Sequence, residues 1–446
     1  MRESVIELFL TGVVAADPYQ ALKRYLEFKG GQLEISTTDK SNRNGIRTKP
    51  WVGIHMMAIG KAACPMIKAA LEIIPSDRIG RAVAVTNYEN RQSISGADVI
   101  AAGHPIPDEA GIKAAEVCIN IANNAKAGEL VLLLISGGGS ALLPYPVETV
   151  TLQDKILTTQ LLLGSGATIN EINCVRKHLS RIKGGGIARA IEQADYHAML
   201  LSDVIGDDVS SIASGPTVPD STTFAEAIDI LEHKKIWVQI PKNVRRYLNL
   251  GQRGEVDDTP KPGDKVFDSG GYSLIGSNRI SVDAVIKRAT YSDCHTVPYS
   301  YPLCGEAREE AKKLVNFAKI ECMGTNRKSL AIIAGGETTV TLTGSGKGGR
   351  NQEFALAFVI EADRQQLPGH WVLLSGGTDG RDGPTEAAGG VVDSTTFRRL
   401  INAGIDPGAK LTDNDSHSAL KIANDLLITG ATGTNVADIQ ILLIQP

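Results

Sequence analysis

The residues best suited to chemistry begin with Ser136-Gly137-Gly138-Gly139-Ser140, which follows the unbroken apolar run Leu130 to Ile135. Three consecutive glycines leave the backbone uncovered. Its N–H groups, with the two serine hydroxyls, can then cradle a phosphate or carboxylate beside a helix start. A turn without a ligand needs one glycine or two. Lys61, in Gly60-Lys61-Ala62-Ala63, stands at a strand-to-helix junction. That is the carboxyl edge of a sheet, where open α/β folds bind ligands, although most lysines are simply solvated. His104, in the turn Gly103 to Asp108, is placed either to touch a substrate or to face water. Arg176, Lys177, His178, Arg181 and Lys183 precede Gly184-Gly185-Gly186. Cations complement a helix C-terminus and glycine ends it; the functional alternative is a phosphate clamp, with Arg176 and Lys183 the substrate-binding candidates.

Carboxylates gather at two strand ends, as Asp203, Asp207 and Asp208 and as Asp379 and Asp382. Such groups suit general-base work or Mg²⁺ ligation through water, and equally turn-making and capping. Asp208 and Asp379 are the metal candidates. A second glycine loop, Gly344-Ser345-Gly346-Lys347-Gly348-Gly349, fits G-x-G-x-x-G and precedes a helix from Arg350 to Ala362. This raises a dinucleotide-binding reading. Against it, Thr338 to Thr343 alternates polar and apolar, as a half-exposed strand would, and no P-loop exists because Gly348 follows Lys347. An anion site of Gly346, Lys347, Gly349 and Arg350 at a helix N-terminus fits better.

The elements that must position these residues are those of an α/β protein. Leu130 to Ile135 lacks alternation and so reads as a central parallel strand covered on both faces. Further strands are expected at Trp51–Ile59, Arg81–Thr86, Val99–Ala102, His197–Ser202 and Leu330–Ala334, with helices at Thr151–Gly164 and Thr168–Ile182. Asp108 is positioned to cap a helix bearing Ile112, Ala115 and Ile119. Gly30 to Pro50 reads as a surface loop or hairpin. Three strand-then-glycine turns recur (ISGGGS, IAGGET, LSGGTD), and GPT followed by DSTTF occurs twice; the need for a rigid turn and an N-cap accounts for the second echo.

At 446 residues two domains are expected, and GQRGEVDDTPKPGDKVF, 251–267, is the best boundary. The division expected is 1–250, a linker 251–267, and 268–446. A net charge of −4 argues against nucleic acid as a partner. Six scattered cysteines without a C-x-x-C pair suggest neither a disulfide framework nor a zinc site, which fits a cytoplasmic protein. Ile6 to Ala16 looks superficially like a signal-peptide core. Glu7 interrupts it, however, and Val5, Leu8, Phe9 and Val13 fall on one helical face, as in an ordinary amphipathic helix. No apolar run reaches the roughly 20 residues that span a bilayer.

Taken in order, ISGGGSALL, NCVRKHLSRIKGGGIA, LSDVIGDDVSSIASGPTVPD, GSGKGGRNQEFAL, SGGTDGRDGPTEAAG and TGATGTNVAD resemble the class II glycerate kinases. The C-terminal motifs are similar to the MOFRL domain of that family, and the resemblance runs from about Gly60 to the C-terminus. It implies two three-layer α/β/α domains, a Rossmann-like parallel sheet in the first and a mixed sheet in the second, with the active site in the cleft between them. It implies transfer of phosphate from ATP, with Mg²⁺, to the 2-hydroxyl of D-glycerate. Lys61 and Arg350 would contact phosphate and substrate, Asp203 would be the carboxylate near the reacting hydroxyl, and Ser136 to Ser140 the nucleotide phosphate loop. The partners are then small molecules, with a homodimer left open. Glycine loops, cations and strand-end aspartates independently suit phosphoryl transfer, which needs positioning and charge more than a nucleophile. The competing readings are an NAD(P)-dependent hydroxypyruvate reductase and a non-catalytic carboxylate-binding protein.

Overall fold

A computed structural model of the chain describes residues 1–38, 45–290, 294–299, 302–324 and 329–445. Sixteen strands are named in chain order among them. The first three, β1 (Leu26–Lys29), β2 (Gln32–Ser36) and β3 (Ile46–Lys49), form a small antiparallel sheet. Of the segment read as a loop or hairpin, residues 39–44 lie outside the described set; most of the rest is strand, anchored by buried Leu33 and Ile35.

β4 (Gly53–Ile59), β5 (Ile79–Asn87), β6 (Asp98–Ala102), β7 (Glu129–Ile135), β8 (Asp195–Leu201) and β9 (Tyr272–Gly276) make a six-stranded sheet in the order β6-β5-β4-β7-β8-β9. The pairs from β6 through β8 are parallel. Leu130 to Ile135 are all buried in its middle, as the missing alternation requires. The helix Ala63–Ile73 and the small sheet cover one face, and the helix Glu109–Asn124 the other. Asp108 caps that second helix by accepting from the Gly111 N–H at 3.0 Å.

The second sheet contains β10 (His295–Pro298), β11 (Leu303–Glu306), β12 (Leu330–Thr339), β13 (His370–Gly377), β14 (Gly389–Asp393), β15 (Leu426–Leu427) and β16 (Asp438–Gln445), in the order β10-β12-β16-β13-β14-β15 with β11 also on β12. It is mixed: β10 and β11 run parallel to β12, while β16 is antiparallel to both β12 and β13. The helices Ala307–Gly324 and Arg350–Gln365 pack on one face, and Arg2–Ala15 with Asn278–Thr290 on the other. Both sheets are therefore three-layer α/β/α. At two of the three expected strand-then-glycine turns the strand runs through the glycines: IAGGET lies wholly within β12, and β13 ends only after Gly377, with the turn at Thr378-Asp379. At Gly335 a Cβ would lie 2.3 Å from Asn278 Oδ1, so close packing is what glycine provides there. The alternating stretch Thr338 to Thr343 is not a strand of its own, because β12 ends at Thr339.

The chain divides into two compact units, Pro18–Ile275 and Met1–Asp17 with Gly276–Pro446. This differs from the division expected at 251–267 in two ways. The N-terminal helix buries Val5, Leu8, Phe9 and Val13 against β12, β13 and β16, at about 1.5–3 kcal/mol for each large side chain. Arg2 adds ion pairs to Asp393 at 2.6 Å and Asp425 at 2.9 Å. The polar segment 251–267 is bound to the first unit instead of linking two. Thr259 Oγ donates to Asp220 at 3.0 Å, Pro260 O accepts from the Asp220 N–H at 2.9 Å, and Arg189 reaches Asp258 O. Periodicity told that the first helix has an apolar face, and nothing in it told which sheet that face covers. The GPT/DSTTF echo resolves to one local device used twice: Thr222 and Thr395 donate N–H and hydroxyl to Asp220 and Asp393.

His178 ends the helix Ile169–His178, earlier than the expected Ile182, and is fully buried. Its Nδ1 faces Cys174 O at 2.8 Å, and its Nε2 stands 3.1 Å from Asp258 Oδ1, off the hydrogen-bonding line. Burial opposes the imidazolium, but Asp258 and Cys174 prevail and raise its pKa to about 9. Asp258, despite partial burial, is held at about 2 by His178 and Lys261. A histidine raised on folding stabilises fully below its unfolded value near 6.5, and the contribution is lost as pH climbs through about 9. Discounted for the part-exposed carboxylate, roughly 1–2 kcal/mol is at stake. Thermal denaturation from pH 6.5 to 9.5 should show wild type losing stability across this window and His178→Gln, less stable throughout, staying comparatively flat.

Candidate active site

In the larger sheet of the Pro18–Ile275 unit, the strand order reverses between β4 and β7. From β4 the chain winds outward through β5 to β6, and from β7 it winds the other way through β8. A crevice opens at the carboxyl ends of the strands where such a reversal occurs. The residues there are Gly60-Lys61 after β4 and the Ser136–Ser140 loop after β7. Three bonds strap the two ends together: Ser136 N–H to Ile59 O at 2.9 Å, Lys61 N–H to Gly137 O at 2.9 Å, and Ala62 N–H to the Ser136 hydroxyl at 3.0 Å. Gly60 is obligatory, since its φ is +127° and a Cβ would stand 2.2 Å from Ser136 Oγ.

Three side chains converge over this loop. A Cβ on Gly137 would lie 2.2 Å from Asp203 Oδ2, and one on Gly138 would lie 3.2 Å from the His104 ring and 3.3 Å from Lys61 Cε. Asp203 thus covers Gly137, and His104 and Lys61 cover Gly138. Burial raises the Asp203 pKa, and the charge of Lys61 only partly offsets that. Burial lowers the His104 pKa, with Lys61 adding to the effect against the pull of Glu89 and Asp203. The imidazole is therefore neutral near pH 7. Among the described residues, no carbonyl or side chain accepts from the N–H groups of Gly137, Gly138, Gly139 or Ser140. Unmet donors in a row, beneath a lysine, form an anion cradle.

Behind the loop, Ser140 Oγ meets Ser214 Oγ at 2.6 Å, and Ser214 donates to Asn173 Oδ1 at 3.1 Å. Ala213, Ser214 and Gly215 all have left-handed backbone, at φ of 50°, 61° and 61°. For Ala213 and Ser214 that is strain held in place by the surrounding contacts. Sequence reasoning missed this segment, although SIASGP lies inside one of its motifs. Lys183 donates to Ser140 O at 2.9 Å, while Arg176 is partly buried on the preceding helix. Asp208 accepts from Ser210 N–H and from the Ser210 and Ser211 hydroxyls at 2.7–3.0 Å. Those bonds outweigh burial and lower its pKa.

The other unit carries a 650 Å³ pocket lined by Glu337, Val340, Leu342, Gly348, Gly349 and Arg350, among others. The second glycine loop borders it, yet most of its donors are already used. Gly344 N–H meets Asn414 Oδ1 at 2.9 Å, Ser345 N–H meets Asp413 Oδ1 at 2.9 Å, Gly346 N–H meets Asp413 O at 2.9 Å, and Lys347 N–H meets Asp415 Oδ1 at 3.2 Å. The start of the following helix is closed as well: Asp382 accepts from the N–H groups of Asn351 at 3.0 Å and Gln352 at 2.9 Å. Of the expected anion cradle of Gly346, Lys347 and Gly349, the N–H groups of Gly346 and Lys347 thus have acceptors within the protein. A Cβ at Gly346 or Gly349 would sit 2.4 Å from Asp415 Cβ or Asp382 Cγ, so these glycines admit neighbouring chain. The dinucleotide reading loses its fingerprint for the same reason.

Arg350 does present a bidentate fork, but to Asp438, through Nε at 2.6 Å and Nη2 at 2.9 Å; Nη1 stands 3.1 Å from Glu337. Burial works against its charge, and Asp438 more than restores it. Asp438 is fully buried, which raises its pKa to about 6 against the pull of Arg350. Glu353 is held by Arg308 at 2.6 Å. Asp379 accepts from Arg381 N–H at 2.9 Å. Among the described residues no three His, Cys, Asp or Glu side chains cluster as a metal site, and no single helix is long and apolar enough to cross a membrane.

A family model described as "Domain of unknown function (DUF4147)" matches residues 4–249, and the MOFRL family model matches 330–438. Across 100% of this chain and 97% of its own length, "Glycerate 2-kinase" of Pyrococcus horikoshii is 40% identical. The chain belongs to the MOFRL-type glycerate kinase family. A crystal structure of a glycerate kinase from Thermotoga maritima superposes with a TM-score of 0.85, at 36% identity over 99% of each chain. A "Putative hydroxypyruvate reductase" of Agrobacterium vitis is 38% identical over 90% of this chain and 89% of its own.

Removing one partner of a buried ion pair strands the other charge. Arg350→Ala should therefore lower stability by about 3 kcal/mol in chemical denaturation. Asp438→Asn added to it should recover a large part of the loss, which an Arg350 that merely faced solvent would not require.

Proposed function

We propose that the protein transfers the γ-phosphoryl group of ATP to the 2-hydroxyl of D-glycerate. Its membership of the glycerate kinase family supports the substrate class, and relatives such as the P. horikoshii protein carry glycerate 2-kinase names. The observation that carries the mechanism is the row of free N–H groups at Gly137 to Ser140, beneath Lys61 and beside Asp203. In this reading the loop holds the nucleotide's phosphates by backbone donors, and Lys61 balances charge that shifts towards the leaving oxygen.

Asp203 accepts the proton of the glycerate 2-hydroxyl as that oxygen bonds to the γ-phosphorus and the bond to the β,γ-bridging oxygen breaks, releasing ADP. Its raised pKa makes the carboxylate a better base than an exposed aspartate, once ionised. Neutral His104 orients the acceptor by hydrogen bonding and adds no positive charge that would stabilise a stray anion. Mg²⁺ neutralises phosphate charge when bound with ATP. Isolated carboxylates fit a metal carried mainly by phosphates and waters, and Asp208, in the same unit as Asp203, would hold it through water. The reductase reading is not favoured, because the G-x-G-x-x-G loop has its donors committed to Asp413, Asn414 and Asp415.

Two measurements test this. Coupling the reaction directly to enolase and pyruvate kinase should give signal without added mutase, because enolase accepts 2-phosphoglycerate; signal that appears only with mutase means the 3-isomer. Asp203→Asn should lower kcat by about two to four orders of magnitude, the range for a positioned base. Because a raised carboxyl pKa favours folding at low pH and the advantage is lost as pH rises, Asn should match or exceed wild-type stability at pH 7. Unfolding of Asp203→Asn would show instead that the carboxylate is structural.

A further inference from the structure

Beside the Gly137–Ser140 loop lies a group of basic side chains with no carboxylate partner among the described residues. Lys155, on the helix Leu152–Gly164, is 5% exposed, and among the described residues its only hydrogen bond goes to Leu179 O at 3.3 Å. Lys183 is 2% exposed, and among the described residues its only hydrogen bond goes to Ser140 O at 2.9 Å. Burial depresses the protonation of both lysines. Arg176, partly buried, lies near enough that its charge adds to the effect on each, and Lys155 adds further to that on Lys183. Among the described residues no carboxylate pairs with any of the three. Asp220, the buried carboxylate nearby, is already taken by Lys177 at 3.4 Å, Thr222 at 2.7 Å and Thr259 at 3.0 Å.

An ammonium removed from water with one acceptor for three donors is costly, and folded chains avoid it by pairing or by binding an anion. A second, independent observation points the same way. Asn173, one helical turn before Arg176, is 4% exposed, and its Nδ2 has no partner among the described residues. Its Oδ1 is fixed by Ser214, which holds Ser140, whose carbonyl holds Lys183. The free amide is therefore oriented by the same chain of bonds that joins the cations to the loop.

We propose that Lys155, Arg176 and Lys183, with the Asn173 amide, form a buried oxyanion subsite adjoining the Gly137–Ser140 cradle, and that its occupant is a phosphoryl group of the polyphosphate nucleotide. This rests on the reading of that loop as the phosphate cradle. Backbone donors then grip one part of the triphosphate and side-chain cations another, with partly exposed Arg176 marking the way in. Lys155 belongs to none of the motifs that suggested a site, and its neighbours would otherwise give it no reason to be a lysine.

The test is titration calorimetry of the full chain with ATP, tripolyphosphate and inorganic phosphate, for wild type, Lys155→Met and Lys155→Gln. Losing a charge-assisted contact should weaken ATP and tripolyphosphate about ten- to a hundredfold. The glycerate KM should stay within about twofold, and melting temperature should hold or rise as an unpaired buried charge is removed. Unchanged ATP affinity with lower melting temperature would show that Lys155 only caps Leu179, and the subsite would be wrong while ATP binding by wild type left the cradle intact. If wild type itself binds neither ATP nor tripolyphosphate, the cradle reading falls first and the subsite with it. Lys155-dependent binding of inorganic phosphate alone would overturn the nucleotide as occupant.

Discussion

Everything chemical in the Pro18–Ile275 unit depends on how the ends of β4 and β7 are tied together. Two parallel strands from opposite windings of the chain finish side by side, and Ser136, Gly137, Lys61 and Ala62 cross-link them. Those bonds consume the first donor of the loop and one carbonyl, and leave the next four N–H groups without an acceptor among the described residues. A backbone donor without an acceptor is expensive to bury, so the strap and the crevice go together: the strap fixes the loop, and the crevice keeps its free donors near solvent or ligand. Gly60, Gly137 and Gly138 then admit Ser136, Asp203, His104 and Lys61 to within contact of the main chain.

The second glycine-rich loop shows that composition alone does not make a cradle. It has four glycines to the first loop's three, a lysine and a following arginine, yet Asp413, Asn414 and Asp415 supply acceptors a phosphate would have provided. Asp382 does the same for the helix start that follows. The physical requirement, acceptors for N–H groups in an exposed turn, is met in one loop by the protein's own oxygens. In the other it is left for something else to meet.

Buried charge divides along the same line. Arg350 faces Asp438, Arg308 faces Glu353, and Arg399 faces Asp425 at 2.6 Å. These pairs hold strands and helices of one unit together and ask for no ligand. Lys155, Arg176 and Lys183 have, among the described residues, only carbonyls between them. Basic groups buried without a carboxylate are where a structure states what it is built to receive.

Length, the unbroken run Leu130–Ile135, the glycine punctuation and the ordered motifs determined the α/β class, the position of the central strand, the carboxyl-edge placement of Lys61 and the family. These are local properties, legible because strand burial and turn chemistry act over a few residues. Which glycine loop is open, what Arg350 holds, and where residues 1–17 and 251–267 belong were decided only by tertiary structure. Asn414 is 70 residues from the Gly344 N–H it accepts from, and Asp438 is 88 from Arg350. Whether a donor is free depends on every acceptor that folding brings near it, and no window along the chain contains that information.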